Sequence, residues 1–290
     1  MKVLGIGEIV LDKTYIINGD INSGQKCQSC DSEISIGGPV SSALKLLSNL
    51  GVDTTIVGSI GKGPLGRYVK EQFDLYGINH ELILDKATKV NTVVVDEKTG
   101  SRTIIKDKIH NTPIKYISES LIREADLIIF DRSEKEIFDF VIENKRDDTL
   151  VIVDPSTEYS KEVFHMVRNS FIPIFPIETV YKMSDEIDFL VNLKRLNDEM
   201  GKAIVITDGE NGSYLYDSGE LKNFEALNIC PVDANGAGDV FRGGFAYGLL
   251  QKRSIEDCIV FANKVAGLQC TKKGNLTAVP SLDEINNFSF

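Results

Sequence analysis

No stretch of this chain approaches the roughly eighteen consecutive apolar residues that a membrane-spanning helix needs. The opening Met1-Lys2-Val3-Leu4-Gly5 runs straight into strand-like sequence, without the apolar core of a signal peptide. Positive charge is also short, since 32 Lys and Arg against 43 Asp and Glu leave a formal net charge of −11. Binding to a phosphate backbone usually shows as a basic excess or stripe, so neither nucleic acid nor membrane is expected as a partner. Histidine is sparse: His80, His110 and His165 lie apart and near no serine or cysteine motif, which leaves nucleophilic triad chemistry without support. Of five cysteines, only Cys27 and Cys30 form a C-x-x-C pair, with no second pair or nearby histidine to complete a zinc site. Reduced thiols in a soluble, cytoplasmic protein are expected. No G-x-x-x-x-G-K-[ST] occurs, so a nucleotide, if bound, is held by something other than a Walker loop.

What is present is a globular composition, 42% hydrophobic and 26% charged over 290 residues, enough for a sizeable core. Short β-branched runs at Val3–Ile6, Thr55–Val57, Leu127–Phe130, Leu150–Val153 and Ala203–Ile206 alternate with helical patterns. That rhythm predicts βαβ units and an α/β fold with a mostly parallel central sheet and helices on both faces. The first helix is legible: Pro39 at N1, Ala43, Leu46, Leu47 and Leu50 at helical spacing, and Gly51 as the stop. Residues 13–36 and 88–106 break the rhythm, because each holds strand-like runs separated by turn residues. Lys98-Thr99-Gly100-Ser101 reads as a hairpin turn between Thr92–Val95 and Thr103–Ile105. These segments are expected to form a small β lid on one domain spanning residues 1–290.

The stretch richest in chemistry is Pro231 to Phe245, where a Gly-rich turn leads into a helix running to Leu250. If that helix starts near Gly238, the amides of Gly236, Ala237 and Gly238 lack intrahelical partners and have the positive end of the helix dipole behind them. Such a turn suits a transferring phosphoryl group. Asp239 then sits in the first turn, where a carboxylate is favoured and can act as base toward a hydroxyl. Glycines at 243, 244 and 248 each weaken a helix by about 1 kcal/mol relative to alanine, so they imply tight packing or ligand approach.

The run DANGAGDVFRGGF resembles the C-terminal signature of the PfkB carbohydrate kinases, D-T-x-G-A-G-D, with Ala234 in place of the usual threonine. Gly5-Ile6-Gly7-Glu8 with Asp12, the segment Gly37 to Gly51, Thr207-Asp208-Gly209-Glu210-Asn211-Gly212, Phe261–Lys264 and Lys273-Gly274 match further family elements in order. The resemblance implies a three-layer ribokinase-like α/β/α fold and an ATP-dependent kinase acting on a hydroxyl of a sugar or sugar-like molecule. It implies Asp239 as catalytic base, an anion hole from Gly236, Ala237 and Gly238, and substrate contacts from Asp12, Gly37, Gly38 and Ser42. Nucleotide contacts are implied for Thr207, Gly209, Gly212, Asn235 and Asn263. ATP, Mg2+ and, in many members, a monovalent cation such as K+ accompany the family, and paired lids suggest a homodimer. Ser42 stands where the family commonly has asparagine, Gly63 where many members carry aspartate, and no N-x-x-E motif is found; Glu178 is the nearby acid, out of register.

Other readings compete. Gly61-Lys62-Gly63-Pro64-Leu65-Gly66 with Asp85 fits a dinucleotide fingerprint, and so an NAD-dependent oxidoreductase. A nucleoside acceptor would want aromatic walls, for which Tyr15, Tyr116 or Phe130 are candidates. Arg132 could face an anionic substituent, and Lys62, Lys272 and Lys273 could reach phosphates. A catalytically silent ligand sensor could use the same fold.

Overall fold

Short runs of β-branched residues build the centre of the molecule, and the helices between them cover it. The computed structural model describes all residues except 20, 22, 25, 99–101, 109–111, 159, 183–187 and 289–290. The first half of the chain forms β1 (Lys2–Ile6), β2 (Val10–Ile17), β3 (Ser29–Gly37), α1 (Pro39–Asn49), β4 (Asp53–Gly61), α2 (Pro64–Leu75), β5 (Asn79–Asp85), β6 (Lys89–Asp96), β7 (Arg102–Ile105), α3 (Glu119–Glu124), β8 (Leu127–Asp131) and α4 (Lys135–Asn144). The second half adds β9 (Leu150–Asp154), α5 (Lys161–Arg168), β10 (Ile174–Pro176), α6 (Ile177–Lys182), α7 (Phe189–Met200), β11 (Ile204–Thr207), β12 (Ser213–Asp217), β13 (Glu220–Phe224), α8 (Ala237–Leu250), α9 (Ile255–Cys270) and α10 (Leu282–Asn287).

Strands β5, β4, β1, β8 and β9 pair in that order, all parallel. Successive strand residues point to opposite faces, and the core divides accordingly. Val3, Leu127 and Ile129 pack among residues of α1, α2, α8 and α9, such as Leu44, Phe73, Phe245 and Ile259. Leu4, Ile6, Ile128 and Phe130 pack on the other side with Phe138, Val163 and Leu193 from α4, α5 and α7. The result is the expected three-layer α/β/α arrangement. Beyond β9, a second sheet runs β10-β11-β12-β13, parallel at its first pair and antiparallel after it. Among the described residues no helix is long and apolar enough to cross a membrane, and the five cysteines are free thiols.

The segments that interrupt the βα rhythm form a separate small sheet in the order β3-β2-β6-β7. Its predicted hairpin pairs Thr92 with Ile105 and Val94 with Thr103; residues 99–101 of the expected turn lie outside the described residues. β2 leaves β1 after only three residues and pairs antiparallel with β3 and parallel with β6. The chain returns to the main layers at α1, where Pro39 follows Gly38 at the N-cap and Gly51 closes the helix at φ 76°.

Helix α8 is held between α1 and α9 by its glycines. A Cβ at Gly243 would stand 2.9 Å from the Ala43 carbonyl, and one at Gly248 would stand 2.7 Å from Cys258 Sγ. At Gly244 it would stand 2.5 Å from Val265 Cγ2 and 3.1 Å from Ala262 Cα. Gly244→Ala gains about 1 kcal/mol of helix propensity but overpacks the contact with α9. A net loss of about 1–3 kcal/mol is expected, read as a lower urea midpoint. A raised midpoint would show that the helices are not in contact there.

Candidate active site at the carboxyl edge of the sheet

The Gly-rich turn before α8 is built by side chains that use up its backbone groups. The Asp233 carboxylate accepts from the amides of Asn235 at 2.9 Å and Gly274 at 3.0 Å. The buried Gln269 amide nitrogen donates to the carbonyls of Asn235 and Asn275, each at 2.9 Å, and to Gly274 at 3.4 Å. Gly236, the N-cap of α8 at φ 75°, rests on Asn275 Oδ1, where no Cβ would fit. From Gly236 the helix proceeds with Val240 donating to its carbonyl at 2.9 Å. Ala237 makes only a long 3.4 Å bond to the Ala234 carbonyl, so the first-turn amides are available as donors.

Asp239 follows in the first turn of α8, its side chain 23% exposed. It meets two further carboxylates. Asp131 and Asp154 end β8 and β9 directly opposite one another and are almost fully buried. Like charges so placed repel, and two arginines offset them. Arg242 Nη2 lies 2.8 Å from Asp154 Oδ1, while its Nη1 lies 3.8 Å from Asp239 Oδ1 and donates to the Gly238 carbonyl at 3.1 Å. Arg132 Nη1 stands 3.5 Å from Asp131, and its Nε donates to Glu158 at 3.1 Å. Burial pushes the Asp239 carboxyl up to about 7, with Asp154 and Asp131 adding to the rise and Arg242 and Arg132 opposing it. Asp131 is pushed up to about 6 by burial and by Asp154, against Arg132. Burial also pushes Glu134 up to about 7, although the Ile114 amide donates to it.

The substrate-side candidates fall into two groups. On β2, Asp12 accepts from Asn91 Nδ2 at 3.0 Å and lies against Gly37, whose missing side chain makes room for its carboxylate. Gly38, at φ 100°, packs on the Glu8 carbonyl, and Glu8 pairs with Lys89 at 2.8 Å while its amide donates to Asp131. These residues border the carboxylate edge. Ser42 does not: it is fully buried, and its hydroxyl donates to Asn275 at 2.9 Å. It supports the turn from beneath instead of facing a ligand.

Thr207, Gly209, Gly212 and Asn263 line one cavity of about 770 Å³, together with Ala237 and Gly238. Asn263 is fixed there by Ser213 and by the carbonyls of Phe224 and Glu225. Asn235 is not among the cavity walls, and its backbone is engaged by Asp233 and Gln269.

Several expectations change. Phe130 is fully buried in the core against Phe138 and cannot wall a ligand. Lys272 is paired with Glu284. Glu178 is exposed in the first turn of α6. Two of the three dinucleotide-like glycines serve packing: a Cβ at Gly61 would enter the Ala87–Thr88 backbone, and one at Gly66 would enter the Gly61 carbonyl, whereas one at Gly63 would meet open space. Asp85 is held low first by the Thr112 hydroxyl and then by the Lys86 and Thr112 amides, so it is occupied. His110 lies outside the described residues.

Sequence reading missed Asp131, Asp154, Arg242 and Gln269. The first two had a signal: an acid at the carboxyl end of a wholly apolar strand run, where open α/β sheets bind ligands. Arg242 was flagged only by being the one cation inside an apolar, glycine-rich helix.

The profile of the pfkB family carbohydrate kinases matches residues 9–282. An uncharacterised sugar kinase of Archaeoglobus fulgidus is 27% identical over 254 residues, covering 81% of this chain and 98% of that protein. A ribokinase of Dictyostelium discoideum is 26% identical, covering 91% and 92%. Among solved structures, Arabidopsis thaliana ribokinase complexed with ribose and ATP superposes with a TM-score of 0.84 at 19% identity, covering 99% of each chain. Thermotoga maritima ribokinase gives 0.83 at 19%, covering 98% and 97%.

Asp233→Ala removes a charged acceptor from two backbone amides and is expected to destabilise the protein by about 1.5–3 kcal/mol. Asp233→Asn keeps one acceptor oxygen and loses less. Equal unfolding midpoints for both variants and the wild type would contradict this account of the turn.

Proposed function

The chain belongs to the pfkB family of carbohydrate kinases, and from that membership and the geometry of its site we propose that it phosphorylates a hydroxyl of a neutral sugar, with Asp239 as general base. The enzyme is an ATP-dependent carbohydrate kinase; the acceptor and the residue roles are the proposal. The observation that carries it is the junction at the start of α8, where Ala237 and Gly238 wall the cavity and Asp239 faces the carboxylate edge.

In this reading ATP lies in the cavity lined by Thr207, Gly209, Gly212 and Asn263, with its γ-phosphate at the amides of residues 236–238. Asp12 and the Gly37-Gly38 backbone orient the acceptor across the cleft. Asp239 takes the hydroxyl proton as the O–Pγ bond forms, and the bond from Pγ to the bridging oxygen breaks with its electron pair leaving on ADP. The first-turn amides and the helix dipole stabilise charge on the transferring group. Among the described residues no group of three His, Cys, Asp or Glu side chains is arranged to hold a metal ion, which suits an Mg2+ ion liganded mainly by phosphates and water. When bound, that ion would neutralise charge on the transferring phosphate.

A neutral sugar fits better than a sugar acid, because Arg132 is already paired with Asp131 and Glu158. Against a nucleoside, one of the three aromatic candidates for a wall around its base, Phe130, is withdrawn into the core. Exposed Ile34, Ile104 and Ile105 on the outer strands of the small sheet support a homodimer formed through it.

Asp239→Asn is expected to lower kcat by about 10²-fold or more while ATP binding, followed by calorimetry, stays near wild type. Near-normal turnover would remove Asp239 from the mechanism.

A further inference from the structure

Arg242 is an expensive residue where it stands. It occupies the first turns of α8, close to the positive end of the helix dipole, where a cation is disfavoured. It is 6% exposed, and its Nε is buried with no hydrogen-bond partner, a further cost. A buried ion pair is weak evidence for stability, so the Asp154 contact at 2.8 Å does not by itself account for an arginine here. What the arrangement does is join three points of the site. One guanidinium grips Asp154 at the end of β9, the Gly238 carbonyl in the phosphate-facing turn, and approaches Asp239 to 3.8 Å.

We propose that Arg242, clamped by Asp154, is a positioning residue that orients the Asp239 carboxylate and supplies the positive charge against which it works as base. The inference rests on the general-base reading of Asp239. The proton taken from the acceptor hydroxyl goes to Asp239, which gives it up to solvent before the next turnover; Arg242 keeps its own protons throughout, and Asp154 keeps Arg242 in place.

The charges facing Asp239 come from few directions. Arg242 lies on its own helix, Asp154 and Asp131 end the two strands below, and Arg132 follows β8 with Glu158 as its second partner. From α1, Lys45 turns away to Asn49 and the Tyr76 ring. From α9, Lys264 reaches the Phe288 carbonyl and Asp257 caps its own helix at Ser254. In the turn, Asp233 is engaged by the Asn235 and Gly274 amides. The two substitutions that matter should therefore act in opposite directions. Loss of Arg242 removes the nearest charge that favours ionised Asp239. Loss of the Asp154 charge removes the nearest one that opposes it.

The experiment is the pH dependence of kcat/KM with MgATP and a sugar acceptor the wild type turns over, for wild type, Arg242→Met, Arg242→Lys, Asp154→Asn and Asp239→Asn. Wild-type activity should rise with pH through about 7, as Asp239 ionises. Arg242→Met should move that limb up by about one unit or more, with much of the lost rate recovered at high pH, and Arg242→Lys should leave it near its wild-type place. Asp154→Asn should move it down by about one unit. If Arg242→Met does not fold, Arg242→Gln, which keeps an N–H donor for the Gly238 carbonyl but carries no charge, takes its place and should move the limb up in the same way. Limbs that stay fixed while rates fall uniformly, or that move the same way in both variants, overturn the proposal. A near-normal Asp239→Asn enzyme would instead sink the base assignment itself; an inactive Asp239→Asn beside unmoved limbs sinks only the role of Arg242.

Discussion

Three carboxylates share one edge of the sheet, and the arrangement of the site follows from the need to keep them there. Asp131 and Asp154 are brought level by the parallel register of β8 and β9, the last pair in that ladder. Asp239 arrives from a different part of the chain, 85 residues beyond Asp154, on a helix that can come close only because glycines face α1 and α9. Buried like charges at such range are strongly unfavourable unless compensated. Arg132 and Arg242 offset them in part, and the carboxyls of Asp239 and Asp131 are still pushed up, to about 7 and about 6.

The same turn serves two sides of the molecule. Ala237 and Gly238 form a wall of the 770 Å³ cavity, and the next residue, Asp239, lies outside that wall beside Arg242 and the two strand-end carboxylates. Asp233, Gln269 and Asn275 hold this turn rigidly from behind, and Ser42 carries the support through to α1. A donor phosphate and an acceptor hydroxyl would thus meet over a few residues whose relative positions are fixed by packing, so the geometry is largely preorganised before ligands bind.

Much of this was legible in the sequence because it is local. The strands, the Pro39 to Gly51 helix, the two excursions that pair into the small sheet, and the Gly-rich turn into α8 all follow from periodicity and from glycine and proline placement within a dozen residues. What escaped reading depends on partners far apart. Nothing near Ser42 announces that its hydroxyl is bound 233 residues away, at Asn275. Arg132 reads as a cation available to a ligand until Asp131 and Glu158 are seen beside it. The G-x-G-x-x-G run satisfies a dinucleotide pattern, yet its Gly61 and Gly66 are required by backbone-to-backbone packing at the β4–α2 turn. A short motif records only that small residues are needed, and the surrounding fold decides what they make room for.

Release of ADP from MgATP across a panel of neutral sugars, sugar acids, phosphosugars and nucleosides tests the central claim most directly. The account predicts ADP release that depends on the acceptor and is fastest with neutral sugars. Binding of ATP without turnover on any neutral sugar, or turnover confined to acidic sugars or nucleosides, would contradict it.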